Sequence, residues 1–172
     1  MFRDLQRGLR TLRNRPYHNS LRDVLKLLGS TNQHPSSEQI LELRPLFAFG
    51  GPFHLSSISS LHVRHLMSIN GVTDWLYWRY KLQQHGNLTN EIDRAIAREG
   101  CENLSDEDLE RIVSARGLNA DELDKESMRT YLDAWIAVSM ELDSQAVSLL
   151  LHLPVLLGYN NKNRYWDEES VQ

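Results

Sequence analysis

Internal disulfides are excluded from this 172-residue chain, because Cys101 is its only cysteine. The same scarcity removes zinc sites of the CxxC type. No window offers the roughly 18 uninterrupted apolar residues that a membrane-crossing helix needs. The best run, Ala146 to Gly158, is shorter and carries Ser148, His152 and Pro154. No apolar segment follows the first basic residues, so no secretory signal is read there. Sustained alternation of β-branched residues is missing as well, which argues against a sheet. The chain has no GxxxxGK[ST], GxGxxG, GxSxG or HExxH. Nothing therefore points to an enzyme, and no cofactor or bound metal is expected.

What is present is an ordinary globular composition, 41% hydrophobic and 24% charged. A chain of this length can bury a core without staples. The net charge of −4 hides an asymmetry. Arg3, Arg7, Arg10, Arg13, Arg15, Arg22 and Lys26 against Asp4 and Asp23 put residues 1–26 at +5, leaving the rest at −9. Phe2, Leu5, Leu9 and Leu12 recur at helical spacing, so the start reads as a basic amphipathic helix weakened by Gly8 and ended by Pro16. Such an arm suits an anionic surface, lipid or RNA. The plainer reading is a solvated helix paired with the acidic body of its own domain. An arginine-lined leucine stripe also resembles a mitochondrial targeting helix.

The remaining pattern is helical throughout. Leu21, Val24, Leu25 and Leu28 form a stripe closed by Gly29. Ser36 and Gln39 make a capping box before Ile40 and Leu43, in a helix expected to break near Pro45. Residues 47–53 read as an aromatic turn whose rings tuck into the core. A helix is expected from Leu55 and Ser56 to Asn70-Gly71. Thr73 or Asp74 opens a short aromatic helix (Trp75, Leu76, Trp78, Tyr80, Leu82) ending at Gly86. Leu88 and Thr89 open another, which Gly100 ends. Ser105 caps a helix that stops at Gly117, with Leu104 and Leu109 as a hydrophobic staple. Asp124 starts a helix with Met128, Tyr131, Leu132, Trp135 and Val138 inward. Ser144 caps the last, whose leucines surround the axis, so partners must cover it on all sides. Pro154 should kink it. The total is seven to nine helices.

Few side chains suggest chemistry. Asp106-Glu107-Asp108 does not continue as a calcium loop, because Arg111 takes the glycine position; these acids suit a helix N-terminus. His62 and His65 share a helical face at a spacing that can ligate metal, but no further ligand accompanies them, so a surface or hydrogen-bonding role is preferred. His152 lies in the most apolar helix and needs a hydrogen-bond partner there. Cys101 has no evident base. Residues 104–132 resemble the short helix-extended-helix SAP module of DNA-binding proteins, but the acids crowding them would repel phosphate, so DNA is not expected as a partner and the plainer reading is two helices joined by a tight Gly turn.

The order Arg116-Gly117-Leu118-Asn119, then Trp135 in YLDAWIAVSMEL, then SLLLHLPVLL with His152 and Pro154, resembles the LETM domain. This is the matrix-side, ribosome-binding-like domain of the leucine zipper/EF-hand-containing transmembrane family. The likeness covers roughly residues 33 to 160 and is closest to the family's small members. It divides the chain into a basic arm (1–30), the domain (31–160) and a polar tail (161–172) expected to fray.

The resemblance implies an all-α, 14-3-3-like bundle on the matrix side of the mitochondrial inner membrane. It implies mitochondrial ribosomes or respiratory-chain assembly proteins as partners, with anionic inner-membrane lipid beneath, and a part in ion and volume homeostasis. The membrane segment, EF-hand and coiled coil of the larger members are missing from this sequence. The resemblance thus implies the soluble part of a longer protein, or a complete one without the anchor. Arg3, Arg7, Arg10, Arg13 and Arg15 are the candidate lipid or ribosome contacts. Arg116, Gly117, Leu118, Trp135, His152 and Pro154 are family-signature structural residues. The alternatives are a 14-3-3-like peptide adaptor, or the regulatory part of a cation/proton exchanger.

Overall fold

The computed structural model describes residues 1–12, 17–30, 34–73, 76–121 and 123–158. Among them are nine α-helices, a short 3₁₀ turn at Cys101–Asn103, and no strand. The helices are α1 (Phe2–Thr11), α2 (His18–Leu28), α3 (Ser37–Leu41), α4 (Arg44–Phe47), α5 (Ser60–Ile69), α6 (Trp78–Glu99), α7 (Asp106–Ala115), α8 (Lys125–Ser139) and α9 (Val147–Gly158). Readings that fall on Arg13, Arg15, Pro16, Asp74, Trp75 and the tail after Gly158 lie outside the described residues.

The apolar circumference of α9 decides the architecture. All twelve of its residues are buried, and α4, α5, α6 and α8 pack around it. It runs as one helix through Pro154. Side chains tie it to its neighbours: Ser148 Oγ donates to the Phe53 carbonyl at 2.6 Å, and Asn70 Nδ2 donates to the Leu151 carbonyl at 3.0 Å. The Asp143 carboxylate, rather than Ser144, accepts from the backbone leading into the helix, at Gln145 and Ala146.

Local chemistry accounts for most boundaries. Ser36 and Gln39 form the reciprocal capping box. Ser59, Ser105 and Asp124 each accept from the backbone N–H three residues on. Helix α5 begins at Ser60, later than its apolar spacing suggests, because residues 54–57 form turns bonded through the His54 and Gly51 carbonyls. Pro45 starts α4 rather than merely ending α3, since a proline in the first helical turn has no bond to lose. Phe47 and Phe53 enter the core and stack at 5.1 Å, while Phe49 stays out.

The largest departure concerns Gly86. It does not separate two helices: α6 continues through it for 22 residues. A Cβ built on Gly86 would collide with Val147 Cγ1 of α9. The glycine therefore lets α6 and α9 approach closely at the centre of the bundle.

Candidate functional site

Helix α1 places its arginines by burying its other side. Phe2, Leu5 and Leu12 lie in the core, and Gly8 admits the edge of the Phe53 ring. Arg3, Arg7 and Arg10 remain exposed. Asp4, on the inner side, is nearly buried; its carboxylate accepts from His65 Nδ1 at 2.7 Å and pairs with Arg7 at 3.6 Å. Burial alone would raise the Asp4 pKa, but the His65 bond and nearby positive charge bring it below the usual carboxylate value. The helix is thus fixed to the body, with three cations facing out.

Beneath it lies a histidine pair. His62 of α5 and His152 of α9 meet Nε2 to Nε2 at 2.8 Å. His152 Nδ1 donates to the Ser148 carbonyl at 2.6 Å, because a carbonyl can only accept. The neutral His152 ring then offers its Nε2 lone pair, so His62 is the donor. Burial drives the His62 pKa down to about 4, against an opposing pull from Asp4, and holds His152 well below the ordinary histidine value. His62 also borders a cleft of about 210 Å³ between α1 and the turn at residues 52–59, shared with Asp4 and Arg7. The two histidines of α5 therefore serve different partners: His65 reaches α1 and His62 reaches α9.

A second polar centre joins α6, α7 and α8. Fully buried Asp93 accepts from Arg116 Nη2 and Ser139 Oγ, and from Trp135 Nε1 at 2.9 Å. The Arg116 guanidinium lies 5.6 Å from the centre of the Trp135 ring. Tyr131 donates its hydroxyl to the Arg116 carbonyl at 2.8 Å. The three residues 116–118 end α7 by a Schellman turn: Gly117 N–H reaches the Ser114 carbonyl and Leu118 N–H the Val113 carbonyl. Gly117 has φ +86°, and Leu118 is fully buried.

A family model described as "LETM1-like, RBD" matches residues 1–156. The chain belongs to the LETM1-like family. Human "LETM1 domain-containing protein 1" is 32% identical over 130 residues, covering 74% of this chain and 36% of that protein. A fission-yeast relative, "LETM1 domain-containing protein mdm28, mitochondrial" (Schizosaccharomyces pombe), is 24% identical over 140 residues, 81% of this chain and 30% of its own. The "Mitochondrial proton/calcium exchanger protein" of Drosophila melanogaster is 33% identical over 88 residues, 51% of this chain and 8% of its own. The chain thus spans well under half the length of these relatives. No solved structure matches it, so the likeness to 14-3-3 proteins rests on the resemblance alone.

The LETM1-like signature acquires a physical meaning in this arrangement. Arg116 and Trp135 converge on one carboxylate, Gly117 and Leu118 turn the chain back into the core, and His152 finds its partner in His62. Asp93 was missed by sequence reasoning. It reads as one acid among the charges of EIDRAIA, although its position on the Ile96 side of α6 is the available clue. Other LETM1-domain arginines do not converge: Arg44 pairs with Asp143 at 2.8 Å, Arg79 donates to the Leu55 and Ile58 carbonyls, and Arg94 donates to the Leu142 carbonyl at 3.3 Å. Burial and the adjacent Asp133 push the Cys101 thiol up, away from nucleophilic character. Among the described residues no three His, Cys, Asp or Glu side chains gather as metal ligands, and no helix is long and apolar enough to cross a membrane.

Proposed function

We propose that the chain is a non-catalytic binding scaffold on the matrix side of the mitochondrial inner membrane. Its partner is the mitochondrial ribosome, in support of respiratory-chain biogenesis. Carrying the proposal is the exposed row Arg3, Arg7 and Arg10 on a helix locked into the body by Phe2, Leu5 and Leu12. A cationic row on a rigid support meets polyanionic RNA without an ordering cost, and its contribution falls with salt as counterions are restored to phosphate. Membership of the LETM1-like family and the mitochondrial names of two relatives support the location.

The test is co-sedimentation of the chain with mitochondrial ribosomes across a salt series, with the wild type and R3E/R7E/R10E. Binding of the wild type should weaken with salt, and the variant should lose most of it. Equal binding by both sinks the proposal. A second reading, the regulatory part of a cation/proton exchanger serving ion and volume homeostasis, draws on the Drosophila relative's name.

A further inference from the structure

The residues that lead into α8 read Asp121-Glu122-Leu123-Asp124-Lys125-Glu126, four acids to one lysine. Asp124 caps the helix: its carboxylate accepts from the Ser127 backbone N–H at 2.8 Å and from the Ser127 hydroxyl at 3.0 Å. Those bonds hold its pKa below the usual carboxylate value, so it stays ionised. Capping explains Asp124 but not the space beside it. Asp124 and Glu126, both exposed, stand on the rim of a cleft of about 580 Å³. The cleft lies between the first half of α8, the end of α9 and the residues leading into α3. Pro35, Leu123 and Leu157 are its apolar walls. Ser127, Thr130 and Ala134, spaced along one face of α8, are its floor, and their small side chains leave the depression open. Ser37 Oγ donates to the Ala134 carbonyl at 3.4 Å and ties α3 to that floor.

The negative charge of the cleft is not balanced by the cations around it. Lys125 projects from the flank of α8 opposite Ala134 and pairs with Asp106 of α7. Arg129 follows it one turn on, along that flank, and its Nε is buried. Arg116 is taken by Asp93, and Arg44 by Asp143 beyond the other end of α8. Arg22 and Lys26 of α2 both pair with Asp23. His34 and the Tyr131 ring also line the cleft, and Glu38 and Asp121, exposed nearby in the chain, add acid rather than base. The positive end of the α8 dipole offsets about half a charge, less than the two rim carboxylates carry.

We infer that this cleft docks a basic amphipathic segment of a partner protein. An arginine or lysine of the segment meets Asp124 and Glu126, and a neighbouring aliphatic side chain enters between Pro35, Leu123 and Leu157. The walls take the aliphatic group out of water, and the rim carboxylates select the sign of what flanks it. Nucleic acid is repelled there, and so is a phosphopeptide. A polyamine would use the acids but has no use for the apolar walls. The inference is independent of the ribosome reading, which rests on the cations of α1.

The experiment is fluorescence anisotropy of a labelled synthetic peptide of alternating arginine and leucine, titrated with the full chain. The comparison peptides carry glutamate for arginine, or serine for leucine. The wild type should bind the first peptide and neither of the others. D124N/E126Q should bind it about tenfold more weakly; asparagine still caps a helix, so the fold is kept. T130W fills the floor without removing charge and should bind as weakly. E107Q/E110Q removes as much charge from the exposed side of α7 and should bind like the wild type. The inference is overturned if the wild type binds no arginine–leucine peptide, or binds the arginine–serine peptide as well. Weakening by E107Q/E110Q equal to that by D124N/E126Q overturns it too, because charge alone would then suffice. Tighter binding by K162E/R164E would make the chain's own C-terminal residues the occupant. Self-association of the wild type that T130W abolishes would make it a second copy. Either result overturns the inference.

Discussion

The Nε2 atoms of His62 and His152 face each other at 2.8 Å inside the apolar core, and the bond between them holds only one proton. A second proton would place a cation where Phe47 and Phe53 pack, with no carboxylate among the described residues in hydrogen-bond contact with either ring.

This arrangement predicts acid sensitivity. Unfolded, His62 titrates near 6.5; folded, near 4. Between those values the unfolded chain holds more protons, so stability falls as pH drops from 6.5 towards 4 and levels off below. The depression corresponds to about 3 kcal/mol. Asp4 adds a loss at still lower pH, because its depressed pKa contributes stability only while the carboxylate is ionised. Urea unfolding at neutral pH and at about pH 5 measures the histidine effect. H62Q/H152L should flatten the profile in that range; an equally steep profile in the variant would rule the pair out as its cause.

Asp93→Asn tests the second polar centre. The change keeps the shape but leaves the buried Arg116 guanidinium without its counter-charge. Breaking one member of a buried pair costs about 3 kcal/mol or more. The double variant D93N/R116M should be less damaging than D93N alone, because the unpaired charge is gone. Denaturant midpoints decide it, and a double variant no better than the single one would contradict the account.

Much of the fold is legible in the sequence where side chains bond to nearby backbone. Ser36, Ser105, Asp124 and Gly117 mark helix ends through contacts three to five residues away, and α7, α8 and α9 lie close to where their spacing puts them. The meaning of Gly86 is not local. It depends on Val147, 61 positions later, so periodicity alone divides α6 in two. The functional residues divide likewise. The arginine row of α1 is visible as charge on an amphipathic pattern. Asp93 is not, because its partners come from the residue that ends α7, Arg116, and from Trp135 and Ser139 of α8. The need of His152 for a partner is readable from its apolar helix, but the partner's identity is set by packing across 90 positions.

Gly86→Ala sets propensity against packing. Alanine favours a helix interior by about 1 kcal/mol over glycine. Here its methyl would collide with Val147 Cγ1 and crowd Leu151, and separating α6 from α9 disturbs their close approach. Overpacking of this kind costs about 1–3 kcal/mol, so G86A should be destabilised overall. V147A, which removes that atom, should recover part of the loss in the double variant. A G86A protein melting at or above the wild-type temperature would show that the helices separate freely.

Gly117 tests the Schellman turn that ends α7. At φ +86° an L-residue brings its Cβ against its own backbone, at a cost of about 1–2 kcal/mol, and asparagine tolerates the left-handed region better than alanine. G117A should therefore lower the melting temperature by several degrees and G117N by less. The effect should reach beyond the turn. Arg116 precedes it and Leu118 follows it into the core, so a shift there moves the guanidinium away from Asp93 and the Trp135 ring. Tryptophan fluorescence of G117A, read against a W135F background, should then change in the folded state. Equal melting of both variants and the wild type, with unchanged emission, would separate the turn from the polar centre.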